Sequence, residues 1–190
     1  MLKERQEEKT KSQIWIQAIT KYTKNQKWID CTNEKVELYK KGIIEKDKLK
    51  ISLRNIYTTF ANIRYQEACN KNILVYESEN IEYENAHIVQ FSYYFNNEEF
   101  LKATDPNNLL FLDPNTHKIY DKNKITINLE GIAEINPNLS KLDREIIEKQ
   151  YKDKQIISPD WLKFEYQNSM PYKYLKINYK YWKNYKKNLQ

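Results

Sequence analysis

The chain of 190 residues carries 32 lysines and arginines against 26 aspartates and glutamates, a formal net charge of +6, with 40% hydrophobic and 14% aromatic residues. That is enough apolar surface for one domain of ordinary size and excludes a disordered composition; a mean hydropathy of −0.91, with no apolar run near the roughly 18–20 residues of a bilayer span, excludes membrane insertion. Only two glycines occur, Gly42 and Gly131, against a usual share of about 7%, which argues against the glycine-rich loops that cradle phosphates and against a nucleophile elbow.

Taken in order, the chain begins with a predicted helix over 3–24, in which Trp15, Ala18, Ile19 and Tyr22 recur three and four apart. Its first dozen residues are polar all round and are expected to project from the fold or rest on a partner. Thr32 or Asn33 is placed to cap a short helix that runs to Gly42. Ser52 to Asn70 carries the clearest helical pattern, with Leu53, Ile56, Phe60 and Ile63 as a core stripe. After Asn72 the period shifts. Segments 73–77 and 81–95 are rich in β-branched and aromatic residues, and His87, Val89, Phe91, Tyr93 and Phe95 alternate with their neighbours as in a central strand. A short helix is expected over 97–104 and a strand over 108–112. Asp113-Pro114-Asn115-Thr116 has the form of a turn, with the chain returning as strands through 117–120 and 124–135. Ser140 precedes a further helix as far as Lys154, and Ser158-Pro159-Asp160 supplies a cap, a first-turn proline and an acid for another. The expected fold class is α+β: a helical N-terminal third, a small mainly antiparallel sheet in the middle that covers the stripe of 53–63, and C-terminal helices. The domain division is 1–170 as one α+β domain and 171–190 as a basic aromatic helical extension.

That extension holds the asymmetry of charge. Residues 171–190 contain six lysines and no acid, so residues 1–170 balance at 26 of each sign. Lys173, Lys176, Lys180, Lys183, Lys186 and Lys187 alternate with Tyr179, Tyr181, Trp182 and Tyr185, offering cations for phosphate and flat faces for stacking. These ten are the candidate residues for binding nucleic acid or a partner; the plainer alternative is an amphipathic helix that packs its aromatics and solvates its lysines.

Candidate chemistry elsewhere is sparse. His87 lies in an apolar alternating run that suits a core or sheet-edge histidine, and His117 in a turn where exposure is the default. Cys31 and Cys69 have no second ligand at metal spacing and read as reduced thiols. Glu77, Glu79, Glu82 and Glu84 read as a solvated acidic turn rather than a cation site, and Pro159-Asp160 as a helix start rather than part of a nuclease motif. No catalytic, cofactor-binding or metal-binding residue is assigned, and no cofactor is expected. Substitution of either histidine or either cysteine is expected to alter stability alone.

Two function classes lead. The first is a non-enzymatic subunit of a larger assembly, such as an organellar ribosome, that holds RNA or neighbouring subunits, or an acidic protein surface, through the tail. The second is a small phage or mobile-element protein that binds and inhibits a host nucleic-acid-processing machine. Richness in Lys, Asn, Ile and Tyr, the usage of a very AT-rich genome, suits either. A nuclease-like enzyme stands a distant third. The N-terminal segment is charged throughout and lacks the apolar stretch of a secretory signal, so an intracellular location, in cytoplasm or organelle matrix, is expected.

Overall fold

The computed structural model describes residues 27–71, 83–164 and 171–187, the last five by backbone alone. The predicted helix over 3–24, the strand over 73–77 and the acidic residues Glu77, Glu79 and Glu82 lie outside them. The fold is α+β.

Helix α1 spans Trp28–Lys40. It starts earlier than the cap signal suggests because Thr32 is buried inside it: its Oγ1 donates to Trp28 O at 2.8 Å and lies 2.8 Å from Thr104 Oγ1. Its end is chemically defined. Ile43 N–H donates to Leu38 O and Gly42 N–H to Tyr39 O, both at 2.9 Å, with Gly42 at φ +69°, the pair of reversed bonds that a left-handed glycine makes at a helix terminus. Helix α2 spans Lys46–Asn70. Its buried face is Leu49, Leu53, Tyr57, Phe60, Ala61, Arg64 and Ala68, while Ile56 and Ile63 of the expected stripe are only half buried. The face is rotated because Tyr57 and Arg64, amphipathic residues that an aliphatic pattern skips, turn inward with partners for their polar ends.

The long strand expected through Phe95 stops at His87. Strand β1 is Glu84–His87 and pairs antiparallel with β2, Leu109–Leu112, in the register Glu84↔Leu112 to His87↔Leu109. Between them the chain forms two short helices, α3 (Phe91–Asn96) and α4 (Phe100–Thr104). Phe91, Tyr94 and Phe95 are buried at helical spacing, and a dense run of aromatics satisfies a period of two as readily as one of 3.6. All four residues of β2 are buried.

Asp113 opens α5 (Pro114–Asp121) instead of a turn: its carboxylate accepts from Asn115 N–H and Thr116 N–H, each at 3.0 Å, with proline at the first helical position. Asp-Pro at a chain reversal and Asp-Pro at a helix start are the same local signal. Burial of Thr116 and Tyr120 one turn apart selects the helix. A second antiparallel pair, β3 (Ile125–Ile127) with β4 (Ala133–Ile135), is separate from the first, so the middle region holds two small ribbons rather than one sheet. Helices α6 (Lys141–Tyr151) and α7 (Pro159–Lys163) begin at Ser140 and Ser158, whose hydroxyls accept from Asp143 N–H and Asp160 N–H at 3.1 Å.

Helix α8, Pro171–Lys187, packs on α7 and β3 and buries Tyr174 and Leu175 completely. Tyr174 OH donates to Asp105 Oδ2 at 2.6 Å. The other oxygen of Asp105 accepts from the N–H and the Nδ2 of Asn107, both at 2.8 Å. Asn107 Oδ1 in turn accepts from the buried guanidinium of Arg64, which also donates to Phe164 O at 2.6 Å and lies over the Trp161 ring at 4.5 Å. One acid, one base and their amide link thus tie the turn before β2 to α2, α7 and α8, and buried charge is tolerated only when bonded in this way.

Candidate active site

The unit β1–β2–α5 brings together side chains that are far apart in sequence. His87 is the last residue of β1, beside the start of β2, and Asn108 immediately precedes β2. Asn108 is fully buried, and its amide brackets one residue: Nδ2 donates to Val89 O at 2.7 Å, and Oδ1 accepts from Val89 N–H at 2.8 Å. Tyr120, on α5, donates its hydroxyl to Ile88 O at 3.1 Å. The turn that follows His87 is therefore held by an asparagine and a tyrosine.

The imidazole of His87 is clamped as well. Tyr57 of α2 stacks on it with ring centroids 3.9 Å apart and planes within 20°, and sends its own hydroxyl to Asn108 O at 3.2 Å. Nε2 of His87 is buried without a hydrogen-bond partner. Burial, then the Arg54 guanidinium and His117, lower its pKa from 6.5 to about 4, so the ring is neutral at pH 7.

His117 sits one turn into α5, not in an exposed turn. Its Nδ1 meets Glu84 Oε2, on the first residue of β1, at 2.6 Å, and its Nε2 lies 3.4 Å from Asp121 Oδ2. An imidazole with two carboxylates is, in kind, a suitable donor set for a divalent cation. The geometry here does not suit one: the two acids flank opposite nitrogens of the ring, which point away from each other, and among the described residues no three such side chains converge.

Beside His87 opens a cleft of about 230 Å³. Its walls include Gln90 and Tyr93, Asp121 and Asn123 at the end of α5, and Asn178, Tyr181 and Trp182 of α8. Asn178 Nδ2 donates to Tyr120 OH at 2.8 Å, which couples the C-terminal helix to the side chain that holds Ile88.

Of the ten tail residues, Lys173, Lys176 and Lys180 are exposed on one stripe of α8, Tyr181 is half exposed in the cleft wall and Trp182 is buried there. Tyr179 turns to the body and bonds Glu134 of β4. Lys183, Tyr185, Lys186 and Lys187 fall within the helix, with side chains outside the described residues. Asn108, Tyr57 and Tyr120 carry no sequence signal that separates them from ordinary polar and aromatic residues; only the spacing of two histidines across 30 residues with Asn-Asn between them hints at the arrangement.

Residues 67–128 match the family described as HNH endonuclease. The match covers 62 of 190 residues and takes in β1, β2 and α5. No curated protein and no solved structure matches the chain. The match overturns the expectation of a non-enzymatic subunit or host-machine inhibitor and points to the nuclease ranked third, with nucleic-acid binding as its corollary; a ribonucleoprotein role gains nothing from it. Scarcity of glycine argues only against glycine-rich loops; the turn after His87 is held by Asn108 and Tyr120 side chains instead.

Proposed function

We propose that the chain is a nuclease that hydrolyses phosphodiester bonds in the cleft beside His87. The observation that carries this reading is the placement of a half-buried, neutral imidazole in the wall of a cleft, on the strand–strand–helix unit that coincides with the endonuclease match.

In this reading His87 is the base. A water oxygen attacks phosphorus, its proton passes to the His87 imidazole, and the bond from phosphorus to the leaving sugar oxygen breaks, giving one phosphate-ended and one hydroxyl-ended strand once the leaving oxygen gains a proton from solvent. Tyr57 and Asn108 are positioning residues: one holds the ring plane, the other the backbone just beyond it. The Glu84–His117 pair ties α5 to β1. The exposed lysines of α8 lie on the helix that forms the cleft wall, which supports a role for them in drawing phosphates toward it.

The test uses the full chain with end-labelled DNA and RNA oligonucleotides, in buffer with Mg2+ and in buffer with EDTA. Cleavage that disappears in His87→Gln, while that variant keeps the parent's circular dichroism spectrum, is the expected result. Absence of cleavage by the parent protein under both conditions, on every probe, would overturn the reading.

A further inference from the structure

The cleft has one feature that phosphodiester hydrolysis by itself does not require. At its mouth two tyrosines from separate elements, Tyr93 of α3 and Tyr181 of α8, face each other edge to face with ring centroids 6.0 Å apart and planes at 66°, and their hydroxyls lie 2.8 Å apart. Both remain open to solvent, at 42% and 52% exposure. Trp182, the next residue, is buried and lines the same cleft. Elsewhere the described aromatics of α8 are turned inward: Tyr174 is fully buried, and Tyr179 is half buried and bonded to Glu134. Tyr181 is the one held outward, in the wall that also contains His87.

We propose that this pair is a stacking platform and that the substrate is a nucleic-acid strand with an unpaired base, single-stranded or locally opened, rather than an intact duplex. The inference rests on the nuclease reading of the cleft. Three observations favour it. A duplex buries the faces of its bases in its own stack and presents phosphates, leaving nothing for an aromatic pair at a catalytic mouth to meet, whereas every unpaired base offers a π-face. At about 230 Å³ the cleft lies below the roughly 300–1,000 Å³ of sites that enclose drug-sized ligands, which suits one planar base with its phosphate beside His87. Lys173, Lys176 and Lys180 are exposed on the same helix as Tyr181, on a stripe about 100° round its axis, so a strand whose base stacks on the tyrosines has cations on the neighbouring face for its adjoining phosphates. Aromatic faces next to a basic track are the two components of single-strand recognition, and α8 carries both.

The experiment measures binding apart from cleavage, by fluorescence anisotropy on the full chain carrying His87→Gln, with a labelled single-stranded oligonucleotide and the blunt duplex of the same sequence. The single strand is expected to bind more tightly. Adding Tyr181→Ala should weaken single-strand binding by about five-fold to a hundred-fold, the range that loss of one stacked base produces, and change duplex binding less than two-fold. Tyr181→Phe, which keeps the ring and loses only the hydroxyl contact to Tyr93, should restore most of the affinity; Tyr93→Ala tests the platform from a second element. Equal or tighter binding of the duplex, or single-strand affinity within two-fold of the parent in both alanine variants, would overturn the proposal. These outcomes are separate from loss of the nuclease reading, because a protein that cuts no probe can still show or lack the strand preference.

Discussion

A histidine whose pKa lies near 4 is always in its basic form at neutral pH, but it is a weaker base than one tuned near 7. For His87 the balance changes when substrate arrives, since a phosphodiester anion beside the ring favours the imidazolium and raises its pKa. The acid limb of kcat/KM, which reports the free enzyme, should therefore fall near pH 4, and the limb of kcat, which reports the complex, at a higher pH; a pH–rate series on one oligonucleotide checks both, and superimposable limbs would count against His87 as the base. The same shift has a consequence for folding. The folded-state pKa is about 4 against 6.5 for an unperturbed ring, so the unfolded chain binds the proton more readily. Stability contributed by the neutral buried ring is present above pH 6.5 and is lost as pH falls toward about 4, to the extent of about 3 kcal/mol. Denaturant midpoints measured from pH 7 to 4 should show that decline, and His87→Gln should flatten it. Asn108 makes a second test at this scale. In Asn108→Asp a carboxylate replaces the amide in a fully buried position, the donor to Val89 O is lost, and a stability cost of about 1–3 kcal/mol or more is expected. Because Val89 follows His87 by two residues, the cleavage rate should fall further than the folded fraction does.

Among the elements, the β3–β4 hairpin depends most on a single residue. Gly131 has φ +84°, and a Cβ added there would overlap Ile157 O. Its own carbonyl accepts from Ile156 N–H at 2.9 Å and Ile157 N–H at 3.1 Å, which fastens the hairpin tip to the segment before α7. Gly131→Ala combines a left-handed conformation with a backbone collision and should cost about 1–3 kcal/mol or more, read as a fall of several degrees in Tm. Gly42 makes an informative contrast: it also has positive φ, at +69°, but an added Cβ meets nothing within 4 Å, so Gly42→Ala should show the conformational part of the cost alone. The two positions share the same backbone signature and differ only in what tertiary packing brings near them. Helix α8 illustrates the converse. Its amphipathic pattern is plain in sequence, yet its link to the cleft runs through Asn178 and Tyr120, a contact between residues 58 positions apart.

Over the whole molecule the charge asymmetry sets the salt dependence. A single strand held by about five tail lysines should lose affinity with salt at a log–log slope of roughly −3 to −4, about −0.7 for each phosphate neutralised. Replacing Lys173, Lys176 and Lys180 by Gln should make the slope shallower by about 2; an unchanged slope in an anisotropy titration would show these lysines to be only the solvated face of α8. That face was legible without a structure, as were the α+β class, the helix starts at Ser140 and Ser158 and the core helix up to Asn70, because helical periodicity, capping chemistry and local charge are properties of residues a few positions apart. The site was not. His87, Asn108, Tyr57 and Tyr120 come together through an antiparallel register between β1 and β2 and through Tyr57 of α2 and Tyr120 of α5, His117 meets Glu84 on the same unit, and each of these residues has a commonplace local explanation. Even the ends of β1 and the helical state of 91–96 were set by burial rather than by period, since an aromatic run supports both. What the amino-acid order by itself determined was the material: a neutral body, a basic aromatic helix and two isolated histidines. That His87 and the C-terminal helix line one cleft was decided only by tertiary structure, because the free energy that joins them comes from burying side chains such as Phe111, Trp161 and Tyr174 against partners 50 to 100 residues away.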